Sequence, residues 1–342
     1  MKLFEHKPYY NFFLGVLVFA GLNFAANGEI IRETPQSVTF RQADGQSVVV
    51  LKHPKNVVAG YFSLGLAYLH CGGRLAGIIA PGAASELTED LQNLPKVGGG
   101  MQPDLERIML LQPDLVLLSE RITRHQTTAA ALRRLGVTVL QLKCNNYGDY
   151  LDILELFCRL NDQGKIVDIP VLKKMVEQVD EICRRTKIVM AKVKLRCAVI
   201  FVSGSGFSLE SAAGNTGNML ARLGVENIRK TTEPYRQIFS MEHFILADPE
   251  LIFVICMGNT QALQDKFKRQ IFANSAFANL QAVKSGHIYY LDEALFLFQP
   301  GKRFPEAFEI LSRHILSAAA DYGEKVSATF VNTKKQNKDI SE

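Results

Sequence analysis

The sequence predicts an α/β protein of two lobes joined by one long helix, on three observations. Short apolar runs alternate with helical stretches between residues 56 and 142, and the same rhythm returns after residue 195. Between them, residues 168–194 hold a single amphipathic period. A chain of 342 residues suffices for two ordinary cores, and 47% apolar with 21% charged residues excludes wholesale disorder, a collagen repeat and a small disulfide scaffold.

The elements follow in chain order. Residues 1–11 carry two lysines and precede an apolar run over 12–24, well short of the ~20 residues a membrane span needs. Basic region, short apolar stretch and the small residues of Ala26-Asn27-Gly28 read as a cleaved signal peptide over 1–28. No cysteine follows the apolar stretch, so no lipid anchor is indicated. The N-terminal lobe, 29–160, opens with a β-hairpin over 37–51, turned at Asp44-Gly45. Its alternating segments are 56–59, 63–71 before Gly72-Gly73, 75–80, 104–111, 115–119, 127–135 before Gly136, and 137–142. A linking region, 161–194, contains Leu172, Met175, Val176, Val179, Ile182, Cys183 and Thr186 at three- and four-residue steps, with charged residues on the other face. As one helix it spans about 30 Å or more, a stiff spine beside both lobes. The C-terminal lobe, 195–322, repeats the pattern at 196–202, 217–223, 241–246, 251–256, 267–272 and 288–291. It closes on an amphipathic helix over 302–320, after Gln299-Pro300-Gly301. Residues 323–342 lose the apolar period and read as a disordered tail.

The chemistry is told partly by exclusion. Thirty-nine Lys+Arg against 34 Asp+Glu give +5, too mild for a nucleic-acid partner. There is no GxSxG, P-loop or HExxH motif, and Gly204-Ser205-Gly206 lacks the third glycine of a dinucleotide site. The seven histidines include no i, i+4 pair, and each reads as a surface or internally satisfied residue, so no metal site is expected. Cys71, Cys144, Cys158, Cys183, Cys197 and Cys256 stand singly, without CxxC or zinc-ligand spacing; export permits disulfides, but no pairing follows from spacing. No catalytic residue and no cofactor are assigned.

One phrase recurs. Gly98-Gly99-Gly100-Met101-Gln102-Pro103-Asp104-Leu105-Glu106 runs into Gln112-Pro113-Asp114-Leu115, and Ser240-Met241-Glu242 runs into Asp248-Pro249-Glu250-Leu251. Each is a helix with an acid in its first turn, a proline turn, then a buried strand. Glu106 and Glu242 thus hold equivalent places, where the helix dipole favours a carboxylate.

With VGGGMQPDLERIMLLQPDLVLLS, SMEHFILADPELIFV, FANLQAVKSGHIYYLD, NTGNMLARLGVENI and HPKNVVAGYFSLGLAYLHCGG in this order, the chain resembles the solute-binding proteins of ABC importers for iron complexes and cobalamin over residues 37–320. The resemblance implies two Rossmann-like lobes on one backbone helix, a class III periplasmic binding protein with a chelatase-like fold. It implies a monomer in the periplasm that delivers a metal chelate, a ferric siderophore or a corrinoid, to an ABC permease and its ATPase. It places the permease-docking carboxylates on Glu106 and Glu242. The stiff spine predicts modest lobe movement.

Ligands of open α/β sheets sit at the C-terminal strand ends. That nominates Tyr61, Phe62, Ser63, Pro81, Gly99, Gly100 and Arg121 in the first lobe, and Ser205, Phe207, Tyr235, Arg236, Met257, Asn259, Phe296 and Phe298 in the second. Tyr235 falls where cobalamin-binding members place an aromatic. Haem-binding members often carry an iron-ligating tyrosine where this chain has Gly98-Gly99-Gly100, so haem, the alternative ligand, would need Tyr61, Tyr235 or His125. A chelatase or metal-cluster oxidoreductase on the same fold is the enzyme alternative, with Cys144 as its one cleft thiol.

Overall fold

The computed structural model describes residues 28–339 except 82–88, 231–235, 239, 259 and 274. The signal segment up to Asn27 and the nominated Tyr235 and Asn259 lie outside the described residues.

The opening hairpin is part of a three-stranded antiparallel sheet, Glu29–Glu33, Ser37–Arg41 and Ser47–Leu51. Gly45 takes the turn with φ 82°, and the Asp44 carboxylate accepts from the Gln46 amide at 2.9 Å. The additional first strand escaped the sequence reading because EIIRE shows no alternation; it pairs through a register irregularity and is mostly exposed. This sheet is fastened to the first lobe by the Gln42 side chain, which accepts from the Gln141 amide at 2.7 Å.

The first lobe is a six-stranded sheet in the order Gln102–Pro103, Lys96–Gly99, Gly77–Ala80, Val57–Ala59, Leu115–Ser119, Thr138–Leu142. All neighbours are parallel except the first pair. All of Leu115–Ser119 is buried, which is why that strand reads as an unbroken apolar run. The second lobe orders its strands Arg236–Ile238, Gly206–Glu210, Arg196–Ser203, Leu251–Cys256, Ile288–Leu291, with Glu226–Asn227 also on Arg196–Ser203. Here the expected parallel sheet is only half the answer. Gly204-Ser205 forms a two-residue hairpin, so Gly206–Glu210 and then Arg236–Ile238 add antiparallel strands.

The spine is the helix Pro170–Met190, with Pro170 in its first turn, where its missing N–H costs nothing. Leu172, Met175, Val179, Ile182, Thr186 and Met190 are its buried face. That face packs against the closing helix, Phe304–Asp339, through a buried contact between the Thr186 and Ser312 hydroxyls at 2.7 Å, and Arg185 pairs with Glu309. One apolar core runs from Val38 and Phe157 in the first lobe through Leu172 and Phe308 to Leu251 in the second. The lobes therefore share a packed base of two helices, a stiffer joint than a lone spine.

The closing helix also corrects the expected tail. It begins at Phe304 and stays helical to Asp339, beyond the boundary at residue 323. Residues 324–339 contain no proline or glycine to break the helix. No helix among the described residues is long and apolar enough to cross a membrane.

Candidate functional site

The C-terminal ends of strands from both lobes meet at a cavity of about 270 Å³. The first lobe supplies Tyr61, Phe62, Ser63, Leu66 and His70 from the helix after Val57–Ala59, Ala80 from the next strand, and Gly100 with Met101 from the turn after Lys96–Gly99. The second supplies Ala294 and the segment 298–303 after Ile288–Leu291. This is the crevice position where open α/β sheets hold ligands.

Of the nominated residues, the cavity brings together Tyr61, Phe62, Ser63, Gly100 and Phe298. Pro81, Gly99, Arg121, Ser205, Phe207, Arg236, Met257 and Phe296 do not line it. Phe296 is 1% exposed and belongs to the shared core, because the short helix Glu293–Phe296 turns it inward. Phe207 packs edge-on to Phe267, with ring centroids 5.4 Å apart. The Ser205 hydroxyl meets that of Ser203 at 2.9 Å, within the hairpin.

Arg236 has a structural task. Its guanidinium lies 3.7 Å from the centre of the Phe201 ring and 3.4 Å from Glu210. Glu210 is 1% exposed, and burial pushes its carboxyl up against the lowering effect of Arg236 and of the Thr216 and Gly217 amides that it accepts from, at 2.9 and 3.1 Å. The helix Asn215–Arg222, fixed this way at its start, holds the cavity loop: the Asn215 side chain donates to the Phe298 carbonyl at 3.1 Å. From the other lobe, the Cys144 carbonyl accepts from Gln299 at 3.3 Å. The loop is thus tied to both lobes before any ligand arrives.

Lys302 and Arg303, cations that could pair with an anionic chelate on their residue type, reach the lining, whereas His70, Met101 and residues 299–301 line it without a signal in the sequence. His70 ends an amphipathic helix and looks like a surface residue, but its Nδ1 lies 3.0 Å from the hydroxyl of Tyr150, and Gly301, at φ 61°, leaves the space beside its ring. Burial, reinforced by the Lys302 charge, lowers His70 from 6.5 to about 4. A neutral imidazole therefore faces the cavity at pH 7.

His125 is lowered to about 4 by burial, and its Nδ1 accepts the Ser119 amide proton at 3.0 Å. That bond places the ring proton on Nε2, which rules His125 out as the metal ligand considered for haem. Its ring stands edge-on to Tyr61, 5.9 Å between centroids, behind the cavity wall.

Lys302 and Arg303 are the charged lining residues; Arg303 is held by Glu306 at 2.8 and 3.0 Å. Among the described residues no carboxylate lines the cavity, which they make aromatic and weakly cationic. A group whose folded pKa is depressed stabilises the fold above its unfolded value and loses that contribution as pH falls through the folded one. For His70 the window runs from about 6.5 down to about 4 and the total is about 3 kcal/mol. Urea unfolding across this range should show falling stability, and His70→Gln should flatten the curve; an unaltered slope in the variant contradicts a neutral, buried His70.

The recurring phrases form matching helices. Leu105–Leu110 is capped by Asp104, which accepts from the Glu106 and Arg107 amides at 3.0 and 3.2 Å, and Met241–Ala247 by Ser240, which accepts from the His243 amide at 3.5 Å. Capping is done by Asp104 and Ser240, so Glu106 and Glu242, second in each helix, are exposed carboxylates without that duty.

The family described as periplasmic binding protein matches residues 66–295, well over half of the sequence. The chain belongs to this family. Among its relatives, the "Putative ABC transporter substrate-binding lipoprotein YhfQ" of Bacillus subtilis is 23% identical over 263 residues, 72% of this chain and 78% of the relative. The Fe(3+)-citrate-binding protein YfmC of the same organism is 26% identical over 279 residues, 78% and 82% of the two chains. The solved structure of Staphylococcus aureus IsdE complexed with heme superposes with a TM-score of 0.65 at 15% identity, covering 76% of this chain and 98% of that one. That likeness shows the class III fold of this periplasmic binding protein, and membership makes the chain a substrate-binding protein, not an enzyme.

Proposed function

We propose that this periplasmic binding protein, exported after cleavage of residues 1–28, captures an anionic metal chelate between its lobes and delivers it to an ABC permease and its ATPase. The observation that carries the ligand class is the lining: Tyr61, Phe62 and Phe298 offer flat apolar contact, Lys302 offers positive charge, and no carboxylate among the described residues opposes it. A bare metal ion needs a cluster of acids and histidines, and among the described residues no such group occurs. A ferric chelate rich in carboxylate or catecholate oxygens fits this charge better than a corrinoid. The names of relatives, Fe(3+)-citrate-binding and petrobactin-binding proteins among them, support the same class. Haem stands second: it carries two carboxylates, and Tyr61 remains as a cavity-lining ligand.

The protein purified from the cell envelope should carry iron and broad charge-transfer absorption, and the ligand-free protein should bind ferric citrate or a ferric catecholate with affinity that falls as salt rises. A Soret band would assign haem, and cobalt with corrin absorption a cobalamin; binding of neither iron complex nor haem overturns the anionic-chelate reading.

Docking is assigned to Glu106 and Glu242, and each has an apolar neighbour one helical turn on. Leu110 and Leu246 are 81% and 83% exposed, the highest values among the large apolar side chains of the described residues, and each lies four residues after its glutamate. A carboxylate beside a leucine, once per lobe, suits a partner that offers two basic sites, each with an apolar rim.

A further inference from the structure

We infer that Cys71 and Cys158 form a disulfide in the exported protein. Their sulfurs lie 3.4 Å apart, both side chains are fully buried, and the residues are 87 positions apart in sequence. A disulfide needs about 2.05 Å between sulfurs, a closure of about 1.4 Å shared by two side chains. The elements that carry them are already fastened around the pair: the Tyr68 ring packs edge-on to Phe157, 5.2 Å between centroids, its hydroxyl meets Asn161 at 3.1 Å, and His70 meets Tyr150 at 3.0 Å. These contacts hold the two thiols face to face, and the remaining closure falls to the side chains. The other four cysteines make no thiol–thiol contact.

The reaction removes two electrons and two protons from the two thiols; a dithiol-oxidising disulfide of the cell envelope accepts them and becomes a dithiol. Timing follows from burial. The hydrogen bond with Cys158 and burial both push the Cys71 thiol far up, and both side chains are closed to solvent, so an external oxidant does not reach the pair once the protein has folded. The bond forms during folding after export and is then shielded from reductants. Its consequence is local to the ligand site: Cys71 ends the helix that presents Phe62, Ser63, Leu66 and His70 to the cavity, and the bridge pins that helix to Tyr147–Leu160, which carries Tyr150.

The source of oxidant rests on the export reading, so the experiment separates the two. The full chain with its own N-terminal segment is expressed in a bacterium with an oxidising envelope, free thiols are alkylated in denaturant, and peptides are mapped without reduction. The expected result is a Cys71–Cys158 cross-linked peptide, lighter by two hydrogens, with the other four cysteines alkylated. Six alkylated cysteines in the exported chain overturn the inference. A chain retained in the cytoplasm overturns export instead, and refolding reduced protein in oxidised glutathione then decides the disulfide: the cross-link upholds it and its absence overturns it. The same oxidant applied to the folded, reduced protein should leave the pair open. A reductant present during unfolding and refolding should lower the wild-type Tm by several degrees and leave the Cys71→Ala/Cys158→Ala variant unmoved; equal Tm values for wild type with and without reductant contradict a native bridge.

Discussion

Reversing both lobe carboxylates, Glu106→Lys with Glu242→Lys, should lower transport by at least about a hundredfold while chelate affinity stays within about threefold. Each carboxylate is exposed, neither lines the cavity, and the caps that hold their helices belong to Asp104 and Ser240. Losing a charge pair and gaining a repulsion at each contact costs on the order of 2 kcal/mol, or about thirtyfold per site. The two sites lie on separate lobes and should combine nearly additively, with single reversals in between. Leu110→Ser with Leu246→Ser should weaken docking in a different way: faster dissociation with unchanged salt dependence, whereas the charge variants slow association and remove its salt dependence. Transport by whole cells, paired with ligand titration of the purified variants, reads both quantities. A loss of ligand affinity as large as the loss of transport would sink the docking assignment.

The converse experiment acts from inside the cleft. Ala294→Trp places an indole in a cavity of about 270 Å³ and should reduce ligand affinity about a hundredfold, with transport falling in step and binding of the loaded-state partner surface otherwise intact. Ala294 is half-buried, and the Asp292 side chain caps its short helix by accepting from the Ala294 amide at 2.7 Å, an interaction the substitution leaves in place. Thermal stability should therefore stay within a few degrees of the parent, which separates a filled cleft from a damaged fold. Unchanged affinity would mean that the ligand binds away from this cavity. The two experiments together separate capture from delivery, because one variant should bind without transporting and the other should do neither.

Parts of this arrangement were legible in residue order. The spine was visible because burial of Leu172, Met175, Val179, Ile182 and Thr186 repeats at the helical period, and the period is a local property. Glu106 and Glu242 were visible because the same capped helix, proline turn and buried strand occur twice. The cleft was legible only in part. Tyr61, Phe62 and Phe298 reach it, while Phe296, two residues from Phe298, turns into the core. Residue type states that an aromatic side chain will be buried somewhere; in an irregular segment it does not state on which side. Arg236 shows the same limit for charge, since a buried Glu210 and the ring of Phe201 take the guanidinium that looked available to a ligand.

The sequence by itself determined the two α/β lobes, the amphipathic spine and the pair of equivalent glutamates, all written in short-range periodicity and repetition. Tertiary structure alone decided that the spine is doubled by the closing helix, that Leu110 and Leu246 stay bare, that His70 meets Tyr150 and that Cys71 lies against Cys158. The physical reason is the range of the forces that record each feature. Backbone hydrogen bonding and burial of one helix or strand face act over a few residues and leave a pattern in the order of side chains. Contacts such as Gln299 with Cys144, 155 residues apart, exist only once the separate faces have packed, and no local pattern encodes them.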